Sequence, residues 1–299
     1  MSALTILVAG KSGQVARSLV EAAEKRSGLK LTAMGRPELD IADRESVESA
    51  LARVKPDILI NAAAYTAVDN AENDREAAYA GNEAGPRHLA EASAAQGIPM
   101  IHISTDYVFD GEASRPYTEQ DAVSPLGVYG KSKFAGEEAV AHANPEHLIL
   151  RTAWVYGAFG KNFLKTMLAV AENRDELRVV ADQKGAPTSS HDIAEALLDL
   201  AEKVGPGADP DLYGTYHMTA RGECVWAEFA EAIFAASAAI GGPTASVEHI
   251  PSSEYPTPAK RPAYSVLDSS ALEKAFGVRL PDWREPVASI VARILKEKD

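Results

Sequence analysis

Through its first half the chain alternates short apolar runs with amphipathic stretches of helical spacing. "LTILVAG" is a continuous apolar run, too short for a buried helix and closed by glycine, and reads as a buried strand. Residues 14–25 follow as a helix. "LKLTAM" is a second strand, residues 44–54 a second helix and "DILINAAA" a third strand. The alanine-rich segment 74–96 is helical, but Pro86 must kink it or start a new helix, because proline lacks the N–H that the preceding turn needs. "IPMIHIS" is a fourth strand, 129–142 a helix and "HLILRTAWV" a fifth strand. Apolar strands alternating with helices predict an α/β chain whose parallel sheet is doubly wound in the Rossmann manner.

After about residue 155 the pattern loosens. Helices are expected at 162–172 and 192–203, with "LRVV" and "GTYHMT" as short strands. "IPSSEYPTPAKRP" marks a long loop, and an amphipathic helix over 283–296 closes the chain. The expected division is a doubly wound domain over 1–155, which the turn at Gly10 and Gly13 described below marks as dinucleotide-binding, and a smaller mixed α/β lobe over 156–299 left for a substrate. The boundary is soft, and the chain is free to recross it. In open α/β sheets ligands bind at the carboxyl edge of the strands, so the second lobe should close over that edge.

Composition narrows the function. Hydrophobic residues make up 46% and charged residues 24%, which fits a packed chain rather than a disordered one. A formal charge of −13 repels phosphate backbones, so nucleic acid is excluded as a general partner, and an anionic substrate would need a local basic pocket. The single cysteine, Cys224, excludes an internal disulfide and fits a reducing compartment. "MSALTILVAGKSG" has no leading basic region and too short an apolar run for a signal peptide. No apolar stretch approaches the roughly 20 residues that span a bilayer. A cytoplasmic protein without a membrane partner is expected. His, Cys and carboxylate residues show no metal-ligand spacing, so no metal is assigned.

Two segments carry cofactor chemistry. "VAGKSGQVA" places Gly10, Gly13, Gln14, Val15 and Ala16 at the first strand-to-helix turn. Gly10 allows a tight turn, Gly13 lets the backbone approach a pyrophosphate, and Ala16 lets the helix pack closely on the strand. The spacing is GxxGxxA rather than GxGxxG. In "AMGRPELD", Arg36 stands where an NAD site usually has an acid, which favours the 2′-phosphate of NADPH while admitting NADH. A solvated surface arginine is the plain alternative. Asp40 and Ile41 are placed to touch the adenine. Ala62, Ala63, Ala64 and Tyr65 of "NAAAYTAVD" offer a wall for a ribose, or are simply a buried alanine run.

"VYGKSKFAGE" holds Tyr129 and Lys133 four residues apart, on one face of a helix. The lysine ammonium is expected to lower the phenol's pKa from about 10 toward neutrality and to bond a nicotinamide ribose. Tyr129 is then a general acid for a carbonyl that receives hydride. Thr105, ending the fourth strand, either holds the same oxygen or merely caps the next turn.

Gly10-x-x-Gly13, Thr105 and Tyr129-x-x-x-Lys133, in this order, resemble the extended short-chain dehydrogenases/reductases that act on nucleotide sugars. "GQV", "NAAAYTAVD", "STDYVFDG", "PLGVYGKSK", "RTAWVYG", "NFLKTML", "DQKGAPT" and "YPTPAKRPAYSVL" resemble, more closely, the dTDP-4-dehydrorhamnose reductase family. The resemblance spans Gly10 to Leu267. It implies reduction of the C4 keto group of dTDP-4-dehydro-L-rhamnose by NAD(P)H, with Thr105, Tyr129 and Lys133 catalytic. It also implies that Asp106, Tyr107 and Trp154 line the sugar site, and that Asn162, Gln183, Thr188 and Arg261 lie on the nucleotide-diphosphate side. A monomer or homodimer is expected, and magnesium enters only through the resemblance.

The same scaffold carries epimerases and dehydratases. A 4,6-dehydratase resembles "TDE" after the fourth strand, where adjacent Asp and Glu serve as acid and base. Here Thr105-Asp106-Tyr107 lacks the glutamate, which argues for simple reduction. Another nucleotide-sugar reductase or epimerase is the first alternative. A non-catalytic subunit resembling the regulator of methionine adenosyltransferase is the second.

Overall fold

The computed structural model describes residues 3–205 and 207–297. Its first half runs Leu4–Ala9 (β1), Gln14–Ala23 (α1), Leu29–Met34 (β2), Arg44–Val54 (α2), Ile58–Asn61 (β3), Val68–Ala71 (α3), Arg75–Tyr79 (α4), Gly85–Ala94 (α5), Met100–Thr105 (β4), Val128–Ala143 (α6) and His147–Thr152 (β5). Then follow Val155–Tyr156 (β6), Phe163–Ala171 (α7), Glu176–Val180 (β7), Lys184–Gly185 (β8), Thr188–Ser189 (β9) and Ser190–Lys203 (α8). Gly214–His217 (β10), Cys224–Val225 (β11), Trp226–Ala238 (α9), Ser246–Ile250 (β12), Ser270–Phe276 (α10) and Val287–Lys296 (α11) complete it.

Six strands form one parallel sheet in the order β10-β5-β4-β3-β1-β2. Strand alternation divides the core between the two faces. Ile6 and Val8 of β1 pack with α1 and α8, whereas Leu7 and Ala9 pack with α2 and α5. The chain therefore re-enters the sheet after residue 155, through α8 and β10. A separate apolar cluster joins α7, α9 and α11 beside the β7–β12 ribbon.

Three expectations are refined. The 74–96 helix is broken into α4 and α5 by a wide turn at Ala80–Ala84, with Pro86 in the first turn of α5. Asn82 in that turn is fully buried, bonding the backbone of Tyr65 and the hydroxyl of Ser132 on α6. The fifth strand stops at Thr152, because Trp154 takes the left-handed conformation, φ 46°. The closing helix starts at Val287 rather than at 283, with Pro286 as its cap. Buried Trp283 instead pairs its backbone with Arg221.

α6 sits close against the Asn82 turn only because residue 136 lacks a side chain: a Cβ there would lie 1.9 Å from the Asn82 carbonyl oxygen. Gly136→Ala is therefore expected to destabilise the protein by about 1–3 kcal/mol. Thermal or urea unfolding should show a lowered midpoint; a midpoint equal to that of the wild type would contradict this packing.

Candidate active site

The β1–α1 turn opens onto the carboxyl edge of the sheet. Gly10 has φ 119°, and a Cβ there would lie 3.1 Å from the Ala62 carbonyl, so the turn and the end of β3 are nearly in contact. Gly13, at the N-cap of α1, has open space where a side chain would be. No side chain caps this helix, so its first N–H groups are left for an external acceptor. Ala16 is fully buried between helix and sheet.

A cavity of about 550 Å³ runs from this turn to the end of β4. Gly13, Gln14, Val15, Ala62 and Ala64 line one end, and Thr105, Asp106, Tyr107, Tyr129, Lys133 and Trp154 line the other. Over Ser12 and Gly13 it continues into a second cavity of about 540 Å³, bordered by Gly10, Arg36, Asp40, Ile41, Ala63 and Tyr65. Arg36 makes no hydrogen bond or ion pair with the described residues. The neighbouring Lys11, which sequence reasoning missed, pairs with Glu38 at 2.7 Å. The structure thus brings every expected cofactor residue to one continuous trough.

At the floor of the first cavity, α6 crosses the end of β4. Lys133 is only 2% exposed, and its Nζ donates to the Ile103 carbonyl at 2.7 Å. Burial lowers its pKa to about 8, against the opposing pull of Glu137 one turn along. Tyr129 lines the cavity, and burial raises its phenol pKa to about 12, a hydrogen bond with Thr105 pulling down and the Asp106 charge pushing up. This corrects the expectation that Lys133 draws the phenol toward neutrality. The ammonium is turned to a strand carbonyl, so desolvation of the phenol wins.

Thr105 donates its hydroxyl to Asp106 Oδ1 at 3.0 Å and accepts the Tyr107 N–H at 3.2 Å. It therefore caps the turn and belongs to the site at once. Asp106 is 2% exposed, and burial raises its pKa to about 6, opposed by hydrogen bonds from Ser265 and Thr105. The Tyr107 ring meets Tyr129 edge-on, with centroids 5.5 Å apart at 77°. Trp154 stacks on Trp226 at 3.5 Å and 5°, a contact for which Gly185 leaves room: a Cβ at 185 would lie 2.4 Å from the Trp154 ring.

A third cavity of about 430 Å³ shares Tyr107 with the first, and Gln183 and Arg261 line it. Arg261 pairs with Asp69 at 2.8 Å. Phe163, Met167 and Tyr255, which stand in the quoted segments without having been singled out, also form its wall, together with Arg178 and Trp226, on which no motif bears. They come from separate late elements whose convergence no local motif records. Asn162 and Thr188 stand apart from these three cavities. Asn162 caps α7, accepting from Lys165 N–H and donating to the Gly157 carbonyl at 2.8 Å, and lines none of these cavities. Thr188 is fully buried, donating to the Ala186 carbonyl and accepting from Ala220 N–H. Their polar atoms are used by the backbone. Among the described residues, His, Cys, Asp and Glu form no group of three or more able to hold a metal ion, and no helix is long and apolar enough to cross a membrane.

Residues 4–296 match the family model described as the RmlD substrate binding domain. A dTDP-4-dehydrorhamnose reductase of Sinorhizobium fredii is 47% identical over 297 residues, 99% of this chain and 100% of that protein. The crystal structure of a dTDP-4-dehydrorhamnose reductase from Clostridium acetobutylicum superposes with a TM-score of 0.90 at 39% identity, covering 98% of this chain and 100% of the other. A Bacillus anthracis dTDP-4-dehydrorhamnose reductase, solved in complex with NADP, gives a TM-score of 0.89 at 33% identity, with 97% and 99% covered.

The burial of Asp106 has a consequence for stability. A carboxyl whose pKa rises on folding stabilises the fold while protonated, and this contribution is lost as pH climbs from about 4 through about 6. Asp106→Asn keeps an acceptor for Thr105 without the charge. The variant should be more stable than the wild type by about 2–3 kcal/mol above pH 7, and the two should converge below about pH 4. Melting curves across that range check this; a variant less stable at every pH would contradict it.

Proposed function

This chain belongs to the dTDP-4-dehydrorhamnose reductase family, and we infer from that membership that it is an NAD(P)H-dependent oxidoreductase reducing the C4 keto group of dTDP-4-dehydro-L-rhamnose to give dTDP-L-rhamnose. The observation that carries the inference is the meeting of Thr105, Tyr129 and Lys133 on the floor of a cavity that runs unbroken to the glycine turn. The trough fits a dinucleotide: α1 is uncapped, Gly13 leaves open space and the walls at Ala62 and Ala64 are small. When bound, the nicotinamide supplies the hydride.

The protein's own groups hold and protonate the substrate oxygen. Tyr129 offers its hydroxyl to the substrate oxygen, and Thr105 adds a second donor when its one proton turns from Asp106 Oδ1; hydrogen bonds to a developing oxyanion are worth a few kcal/mol. A phenol with a pKa of about 12 remains protonated at neutral pH and is still a much stronger acid than an ordinary alcohol. Proton transfer from Tyr129 to the C4 alkoxide is therefore downhill without any help toward neutrality. Lys133 contributes a fixed cation beneath the ribose. The stacked Trp154–Trp226 pair offers an apolar wall to the deoxysugar, and Gln183 and Arg261 face the nucleotide diphosphate from the third cavity.

Dehydration would need a second acid or base beside Asp106. No glutamate lines the first cavity among the described residues, and position 107 is a tyrosine packed against Tyr129. A purely regulatory role would leave the buried lysine and the Thr105–Tyr129 contact without a use. The unpaired Arg36 at the rim of the second cavity supports a preference for NADPH. We read residues 1–155 as mainly the dinucleotide half and 156–299 as mainly the nucleotide-sugar half. Buried, unpaired Cys224 fits a reducing, cytoplasmic setting.

Adding the dTDP-4-keto sugar to protein and NADPH should consume NADPH absorbance and yield dTDP-L-rhamnose; a folded, cofactor-binding protein without turnover would overturn the reading. Tyr129→Phe should lower kcat by about 10²–10⁴-fold while NADPH still binds. Near-normal turnover would remove Tyr129 as proton donor. Arg36→Ala should raise the KM for NADPH by roughly tenfold and leave that for NADH unchanged, and equal effects on both would refute its 2′-phosphate role.

A further inference from the structure

Between β6 and α7 the chain makes a tight turn, residues 157–161, that is anchored from several sides. The Phe159 ring lies between two guanidinium groups, Arg17 of α1 at 4.0 Å and Arg293 of α11 at 4.6 Å. Arg293 is itself tied to Glu21 of α1 at 2.7 Å. Asn162 donates to the carbonyls of Gly157 and Phe159 and to Gln14 Oε1, and Gln14 Nε2 donates to the Val155 carbonyl. Gly157 fits against Ser190 of α8, where a Cβ would lie 2.2 Å from the hydroxyl. Gly160 then reverses the chain in the left-handed region, φ 67°, with its would-be Cβ 3.5 Å from Gln14 in the first turn of α1.

The residue delivered by this scaffold is Lys161. It lines the first cavity together with Ser12 and Gly13, and it makes no hydrogen bond or ion pair with the described residues. An exposed lysine is unremarkable alone. A lysine at the tip of so constrained a turn, beside an uncapped helix N-terminus in a chain of net charge −13, calls for an anionic partner. We propose that Lys161 is a cofactor-binding residue that closes the trough over the dinucleotide's pyrophosphate, opposite the N–H groups of α1. On this account Asn162, Phe159, Arg17 and Arg293 are positioning residues, which gives Asn162 a role different from the substrate contact expected of it. The inference rests on the reductase reading, since it presumes a dinucleotide in the trough.

Calorimetric titration tests it without turnover. Lys161→Ala should weaken NADPH and ADP-ribose, which both carry the pyrophosphate, by about five- to tenfold. Adenosine 2′-monophosphate, which lacks it, should bind as to the wild type, and so should dTDP. Lys161→Arg should restore most of the loss, and the salt dependence of NADPH binding should be shallower in Lys161→Ala. Unchanged NADPH affinity, or a loss confined to dTDP, would overturn the assignment while leaving the reductase reading intact. A wild-type protein that bound no NADPH would overturn both.

Discussion

An ammonium group buried beneath the carboxyl end of β4 is the constraint on which the rest of the site depends. Lys133 is almost inaccessible, and an unpaired buried charge is expensive. Its cost is offset by the Ile103 carbonyl and by Glu137, itself locked to Arg151 of β5 at 2.7 Å with both partners buried. α6 is thereby fastened to β4 and β5 by charge, and its glycines let it lie against the turn that follows β4 and against the Asn82 turn. A Cβ at Gly130 would lie 2.2 Å from the Tyr107 carbonyl. Tyr129, on the same helix, inherits that fixed position over Thr105.

Burial then sets protonation in opposite senses across a few ångströms. It pushes the lysine down, the phenol up and the Asp106 carboxyl up. Tyr129 is kept as the phenol rather than the phenolate, the form that a proton donor in a reductase must have. The carboxyl beside it sits in a place that does not favour its charge. That is a local cost in stability carried at a functional position, in line with the general tendency of active sites.

Much of this was legible in the sequence, for identifiable reasons. The sheet strands are short apolar runs with clear breaks, so β1 to β5 and the turn at Gly10 and Gly13 follow from pattern alone. Tyr129 and Lys133 share a helical face by spacing. Spacing does not say where a side chain ends, however: Lys133 reaches the Ile103 carbonyl, which leaves burial as the largest influence on the phenol. Asn162 and Thr188 stand in motifs that resemble substrate segments, yet their polar atoms serve the local backbone. Trp226 and Arg178 enter the third cavity through long-range packing of α9 and β7, which leaves no mark at short range.

The protonation state of Tyr129 is the claim most open to direct measurement. Ultraviolet difference titration of the wild-type protein against Tyr129→Phe isolates the phenolate absorbance of this one residue. The account predicts no difference signal from about pH 6 to about pH 10, the ordinary tyrosine value, because the phenol ionises only near 12. A phenolate signal titrating near neutrality would contradict it and would restore Lys133 as the group that activates the tyrosine.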